Sequence, residues 1–418
     1  MQRHKINVTS EIGKLNGVIL HTPGQEIENM TPQNAERALY SDILNLAIAA
    51  KEYAQLKGVL KKLTNVFELK ELLEDILEND KVKCQLVKRV LEYEGLPFLF
   101  DNLMMMEPKD LATALIEGVE MKKDTLTSYL DSERYILRPL HNFFFMRDAS
   151  ATIHDSVLIS KMANKVRERE AIIMEAIFDY HPNLATRTVS LSREAEYDPA
   201  ITMEGGDVIV AREDVLIIGL GLRTTSQGID YIMRKFMKEG KVKHIIVQEL
   251  PHTPESFIHL DMVFTFLDVD KVMVYEPVIM KSNRFLTLHL SFDNGQVKIE
   301  EEDNLLSALK KLKFDLEPLY CGGRKDLYIQ EREQWHSGAN FFAVAPGKVL
   351  GYERNVYTVE ELDKHGFEVI RAVDLIDGKV KANELKKFVV TIEGSELARG
   401  GGGCRCMTMP VMRDEVIW

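Results

Sequence analysis

The residues best suited to bond-breaking chemistry lie far apart in this chain. Near its end stands "GGGGCRCMTMP", Gly400 to Pro410, which holds Cys404 and Cys406, half of the four cysteines. A thiolate is a strong nucleophile, and a glycine run lets a substrate come close to the backbone, so a cysteine in this loop is a candidate nucleophile. A Cys-x-Cys pair could instead hold a metal. Zinc, however, needs about four ligands, and neither Cys84 nor Cys321 supplies a second pair. The pair could also be redox-active, or either cysteine a small buried hydrophobe. "SFIHLDMVF" sets His259 two residues from Asp261, and on a strand that spacing aims both side chains at one face. The same stretch could equally hold a core histidine beside a turn acid. In "MEGGDVIV", two glycines between Glu204 and Asp207 predict a tight bend before a strand. An acid buried there can orient a histidine and favour its protonated form, although Gly-Gly-Asp is also ordinary turn chemistry. In "NFFFMRDAS", Asp148 opens a strand, either as a free acid or paired with the adjacent Arg147.

Taken together, these stretches supply a thiol, an imidazole and several carboxylates. Carboxylates match the forked N–H donors of a planar guanidinium. A thiol suits attack on the central carbon of that group once the acids hold it.

Something must bring these residues together. Five stretches share a pattern, with a polar or reactive residue followed by a β-like run, usually a turn, and a second strand. They begin at Asp148, Asp207, Asp261, Asn340 and Cys406, between 54 and 79 residues apart by those positions. Helical stretches such as "KVREREAIIMEAIFDY" lie between some of the hairpins. A recurring unit of this size predicts radial or stacked repetition, and around an axis three acids, an asparagine and a cysteine would meet at the centre. The segment from Thr31 to Glu133 has helical periodicity, with Thr31-Pro32 as a cap and first turn. It predicts a helical block inserted into, or placed beside, the rest of the chain.

The bulk composition narrows the partners. With 418 residues, 45% hydrophobic and 28% charged, the chain can bury a substantial core. A formal charge of −12 argues against a nucleic-acid surface and leaves room for a pocket that attracts a small cation. No apolar leader opens the chain, and runs such as "VLIIGLGL" are far too short to cross a membrane. A cytoplasmic setting is the expectation by elimination.

The ordered motifs "HTPG", "FMRD", "MEGGD", "GLGLRTT", "HLDMVFT", "GANFFAVAPGKV", "GYERNVYT" and "RCMTMP" run through nearly the whole chain and resemble arginine deiminase, a family of the guanidine-modifying enzyme superfamily. The resemblance implies a fivefold pseudo-symmetric α/β propeller of ββαβ repeats as a single catalytic domain spanning 1–418, with residues 31–133 as a helical-bundle insertion within it. It implies hydrolysis of free L-arginine to L-citrulline and ammonia in arginine catabolism, with no metal or organic cofactor and with a homo-oligomer, dimer or tetramer. By motif, Cys406 is the nucleophile and His259 the general acid/base. Asp148 and Asp261 clamp the guanidinium, and Glu204 supports His259. Arg167 and Arg223 hold the substrate carboxylate, Asn142 and Phe145 line the pocket, and the Gly400 carbonyl accepts from the α-amino group.

The chain departs from the family pattern in three places. "ALYSD", Ala38 to Asp42, stands where members carry "LLFDD"; Gly401 replaces an arginine of the glycine loop; and "MRD" replaces "TRD". In the family the first segment helps close the pocket over the amino-acid end of the substrate, and the departures at Ala38–Asp42 and Gly401 leave a related alkylguanidine open as the substrate. The motifs are also compatible with an amidinotransferase and with a catalytically silent arginine-binding protein. Cys404 receives no role.

Overall fold

The computed structural model describes residues 4–40, 42–194, 198, 200–293 and 296–418; Ser41 of the "ALYSD" segment lies outside them. The architecture is mixed α/β. Five sheets repeat one pattern, an antiparallel hairpin whose second strand pairs in parallel with a third across a helical connection. The first unit is Ser150–Ile153, Ser156–Ile159, the helix Glu168–Tyr180 and Arg187–Ser190. The second is Val208–Arg212, Val215–Leu220, the helix Ser226–Ile232 and His244–Glu249. The third pairs Phe264–Asp268 and Lys271–Val274 with Glu317–Tyr320, and the fourth pairs Phe342–Ala345 and Lys348–Tyr352 with Phe388–Ile392.

The fifth unit joins the two ends of the chain. Met409–Arg413 runs antiparallel to Leu15–Leu20, with Ile19 opposite Met409, and Leu15–Leu20 pairs in parallel with Asn65–Glu68. Between those parallel strands lies the helix Leu46–Leu63, started by the Asn45 side chain accepting from the Ile48 amide. Its buried stripe, Ala49, Tyr53, Leu56, Val59 and Leu60, follows helical spacing.

The stretch 31–133, expected to be helical, therefore also carries a strand of the fifth unit. Asn65–Glu68 is short and only half-buried, and a four-residue strand inside a charged helical run leaves little periodicity to read. Beyond it, Leu69–Leu77, Asp80–Glu94 and Pro108–Glu117 form a helical layer. Leu72, Leu73 and Ile76 share an apolar core with Ile173 and Ile177 of the first unit's helix. That helix is buried from Glu168 to Phe178, because the sheet covers one side and the helical layer the other.

Each hairpin is preceded by a short turn or loop that carries polar side chains inward. Asp148 lies in the turn Met146–Ala149, Asp207 in Gly205–Asp207, and Asp261 in Leu260–Met262. Asn340 precedes Phe342, and Cys406 precedes Met409. No helix among the described residues is long and apolar enough to cross a membrane.

Candidate active site

These five polar residues gather where the units meet. The Asn340 amide Nδ2 donates to Cys406 Sγ at 3.2 Å and to the Asp261 carbonyl at 3.0 Å. Its Oδ1 accepts from the Arg405 amide at 2.9 Å, which fixes the backbone beside the thiol. Cys406 Sγ lies 3.7 and 3.9 Å from the two Asp261 carboxylate oxygens. Asp207 accepts from the Leu260 amide at 2.9 Å and from the Thr224 hydroxyl at 2.6 Å, holding the turn between His259 and Asp261.

His259 Nε2 meets Glu204 Oε2 at 3.0 Å, and its Nδ1 lies 3.6 Å from Asp148 Oδ1. His259 and Asp261 join one polar cluster, but not by the expected strand geometry. Residues 260–262 form one 3-10 turn and the strand starts at Phe264, so His259 turns to Glu204 and Asp148 while Asp261 turns to the thiol. A tight turn rotates successive side chains differently from the alternation of a strand. The bend expected at Gly205-Gly206 is present and brings Glu204 to the imidazole. Gly206 must lack a side chain, since a Cβ there would come within 2.5 Å of His259 Nδ1.

Asp148 pairs with Arg167 at 2.7 Å and not with Arg147. Its other oxygen, Oδ1, is buried with no hydrogen-bond partner among the described residues. Arg147 instead turns toward the Arg405 carbonyl. Arg167 is also held by Glu170 at 2.8 Å and lies 4.0 Å from Glu204. Arg223 reaches Glu204 at 3.5 Å, and its buried Nη1 has no hydrogen-bond acceptor among the described residues. The cluster thus presents an acceptor without a hydrogen bond, Asp148 Oδ1, and a donor without one, Arg223 Nη1, which is ion-paired to Glu204.

Burial disfavours a charged His259, but Asp148, the Glu204 hydrogen bond and Asp207 outweigh it and push the imidazole up to about 9. Burial likewise opposes charge on Glu204, yet His259, Arg223 and Arg167 bring it down to about 2. The pair is therefore imidazolium and carboxylate at neutral pH. Burial, then Asp261 and Asp148, push the Cys406 thiol well above its ordinary value. A cation placed between those acids would reverse that effect. Asp148, Glu204 and His259 offer ligand atoms within 4.8 Å of one another, a spacing that could hold a metal ion. Arg167 and Arg223 already supply positive charge to the same carboxylates.

A cavity of about 360 Å³ opens onto this cluster, within the range of small-molecule sites. Eight of the ten expected residues line it: Asn142, Phe145, Asp148, Arg167, Arg223, His259, Gly400 and Cys406. Glu204 and Asp261 stand behind, against His259 and Cys406. Asn142 is tied to the Ala38 carbonyl at 2.6 Å, and Leu39 and Asp42 of the departing segment also line the cavity. The glycine run is dictated by crowding as well as by loop conformation, since a Cβ on Gly402 would lie 2.4 Å from Phe145 Cε1.

Several residues carry no signal in the sequence. Trp335, His336, Ser256 and Arg399 line the cavity. Arg399 donates from Nε to Asp42 at 3.1 Å and from Nη1 to Glu396 at 2.9 Å, tying the glycine loop to the 42–45 segment. Arg405, wholly buried, binds Asp261 Oδ2 at 2.8 Å and both oxygens of Glu11 at 3.0 Å. Its one visible signal is adjacency to Cys406; Glu11 gives none, standing 394 positions away.

The chain's relatives match it from end to end. The family model described as arginine deiminase matches residues 36–413. An arginine deiminase of Bacillus thuringiensis subsp. konkukian (strain 97-27) is 33% identical, with 99% of this chain and 100% of that protein covered. One from Oenococcus oeni (strain ATCC BAA-331 / PSU-1) is 32% identical, with 99% of each covered. Among solved structures, an amidinotransferase from Microseira wollei in the saxitoxin biosynthetic pathway superposes with a TM-score of 0.55 at 13% identity, covering 99% of each chain. The product-bound N-terminal domain of a cyanobacterial arginine dihydrolase superposes with a TM-score of 0.54 at 14% identity, covering 95% of this chain and 97% of that one. At such identities these two likenesses speak for the fold alone. The full-length match places this chain in the arginine deiminase family, hydrolases that act on a guanidino C–N bond.

Proposed function

We propose that this protein hydrolyses free L-arginine to L-citrulline and ammonia through a covalent intermediate on Cys406, with His259 as general acid and base. The observation behind this is the convergence of a thiol, an acceptor-rich pair of carboxylates and an imidazolium on one cavity. Asp148, through its open Oδ1, and Asp261, beside Sγ, clamp the substrate guanidinium over the thiol. The bound cation lowers the thiol pKa, and the thiol proton passes to solvent. The thiolate adds to the guanidinium carbon, His259 protonates one amino group, and the C–N bond breaks to release ammonia. An S-alkylthiouronium remains, beside a neutral His259. The imidazole then takes a proton from water as the hydroxide adds to the same carbon. Collapse breaks the C–S bond, releasing citrulline and the thiolate, and the hydroxyl proton leaves to solvent. One histidine serves both steps because its charge toggles with each.

Arg223, which lines the same cavity and whose Nη1 makes no hydrogen bond among the described residues, receives the substrate carboxylate and Arg167 supports it, while Asn142, Phe145 and the Gly400 carbonyl position the amino-acid end. The five ββαβ units are arranged about a pseudo-fivefold axis as a propeller in one catalytic domain. The 31–133 segment is its helical insertion, with the strand Asn65–Glu68 retained by the fifth unit. The chemistry needs no metal or organic cofactor, and the protein works in the cytoplasm as a homo-oligomer.

The test is product analysis with arginine as sole substrate. Equimolar citrulline and ammonia, lost in Cys406→Ala and retained in Cys404→Ala, are expected. Strict dependence on an added amine acceptor would establish amidino transfer instead. Arginine binding without turnover would establish a silent binding protein.

A further inference from the structure

The connection inside the third unit carries a second hairpin, Thr287–Asp293 and Gln296–Glu302, which leaves its own sheet and extends that of the second unit. Thr287–Asp293 pairs antiparallel with His244–Glu249, and Gln296–Glu302 forms the outer edge of the resulting five-stranded sheet. Among the described residues no strand pairs with that edge. It is seven residues long, carries no proline, and is exposed at every residue except Glu302. Paired residues share a face, so Val297 stands beside Phe292 and Ile299 beside Leu290. Phe292, Val297 and Ile299 are 37%, 39% and 60% exposed, an apolar strip along the rim of the sheet.

A regular, open edge with an apolar strip is a template for another strand, and proteins normally protect such edges with charge. The charges here are arranged to accept one strand in particular, the strand itself. When two copies pair antiparallel about a two-fold axis normal to the sheet, the positions of facing residues sum to an even number. Centring the axis on Ile299 sets Lys298 opposite Glu300 twice, Gln296 opposite Glu302, Val297 opposite Glu301, and Ile299 opposite itself. Shifting the centre to residue 298 sets lysine against lysine, and shifting it to residue 300 sets glutamate against glutamate. Opposite charges facing one another across a strand pair stabilise it and like charges oppose it. In the isolated chain Lys298 reaches Glu300 of its own strand at 2.9 Å, so both groups already lie on one face. The same register brings the Phe292–Val297–Ile299 strip of each copy edge to edge across the axis.

We infer that Gln296–Glu302 is a homodimerisation edge, at which a second copy of this chain pairs antiparallel about Ile299 to make a continuous ten-stranded sheet. One strand pair is small beside the about 1,600 Å² of a standard interface, so the association is concentration-dependent. The active-site residues lie in other segments, and the chemistry does not depend on this contact.

Sedimentation velocity over a concentration series tests it, with citrulline formation as the check that each variant is folded. Wild type should pass from monomer to dimer, or from dimer to tetramer if another surface also assembles. Ile299→Lys, which sets like charges face to face on the axis, should abolish that step with activity unchanged. Lys298→Glu and Glu300→Lys should each weaken it by about tenfold or more, and the double exchange should restore it, since opposite charges again face one another. A wild type that stays monomeric at every concentration overturns the inference. So does an assembly that Ile299→Lys leaves intact, or a double exchange as weak as either single one.

Discussion

Replacing Glu204 by glutamine separates charge from shape at the imidazole. The amide oxygen can still accept from His259 Nε2 across the 3.0 Å contact, but the negative charge is gone. In the native site His259 is raised from 6.5 to about 9, equivalent to roughly 3 kcal/mol in favour of the imidazolium. Burial works against that preference, so it rests on Asp148, Glu204 and Asp207. An opposite charge this close is worth about one to three pH units. Losing it also leaves Arg167 and Arg223 less compensated beside the ring, which moves the imidazole in the same direction. The alkaline limb of kcat/KM, set near 9 by loss of the general acid, should therefore fall by about one to three pH units in Glu204→Gln. Imidazole nitrogen chemical shifts, followed against pH by NMR, should show the same displacement for His259. Stability follows the same sign. Because folding raises this pKa, the charged imidazole contributes stability that is complete below 6.5 and lost as pH rises through about 9. An alkaline limb and a His259 titration both unchanged in the variant would refute the electrostatic account of the acid/base group.

Other perturbations probe the supports of the site. Gly402→Ala puts a methyl group 2.4 Å from Phe145 Cε1 and 3.0 Å from Cys406 Cβ, so kcat/KM should fall at least about a hundredfold while urea denaturation shows a folded protein. Glu11→Gln removes the charge that Arg405 binds through two contacts and should destabilise the protein by about 3–5 kcal/mol in urea titration, with KM for arginine raised because Arg405, the partner of Asp261, loses its anchor. Arg223→Gln should raise KM about tenfold or more with a smaller change in kcat, since it removes a cavity-lining cation whose Nη1 makes no hydrogen bond among the described residues.

The reactive residues are legible in the sequence because each sits in a short motif whose chemistry restricts residue type. The strands that carry them are legible as apolar runs after a polar start. Cys406, Asn340, Asp261, Asp207 and Asp148 can be named as convergent from the repeat alone, and Asn340 Nδ2 does reach Cys406 Sγ. The supports are not legible. Arg405 and Glu11 form a buried pair across 394 positions, and no local pattern marks such a contact. Asp42 and Arg399 meet across 357 positions for the same reason. The pairing of His259 with Glu204 is anticipated, but the strand expected to aim His259 and Asp261 together is a turn, because hydrophobic alternation does not separate the last loop residues from the first strand residues. Asn65–Glu68 is hidden by the helices on either side of it.

The central claim is a covalent bond between Cys406 and the substrate carbon. It is tested most directly by rapid acid quench of turnover with guanidino-labelled arginine, followed by mass spectrometry of the digested protein. The expected result is a labelled thiouronium adduct on the peptide containing Cys406, localised to that residue by fragmentation and absent from Cys406→Ser. A labelled adduct on Cys404, or undiminished citrulline formation by Cys406→Ser, would contradict it.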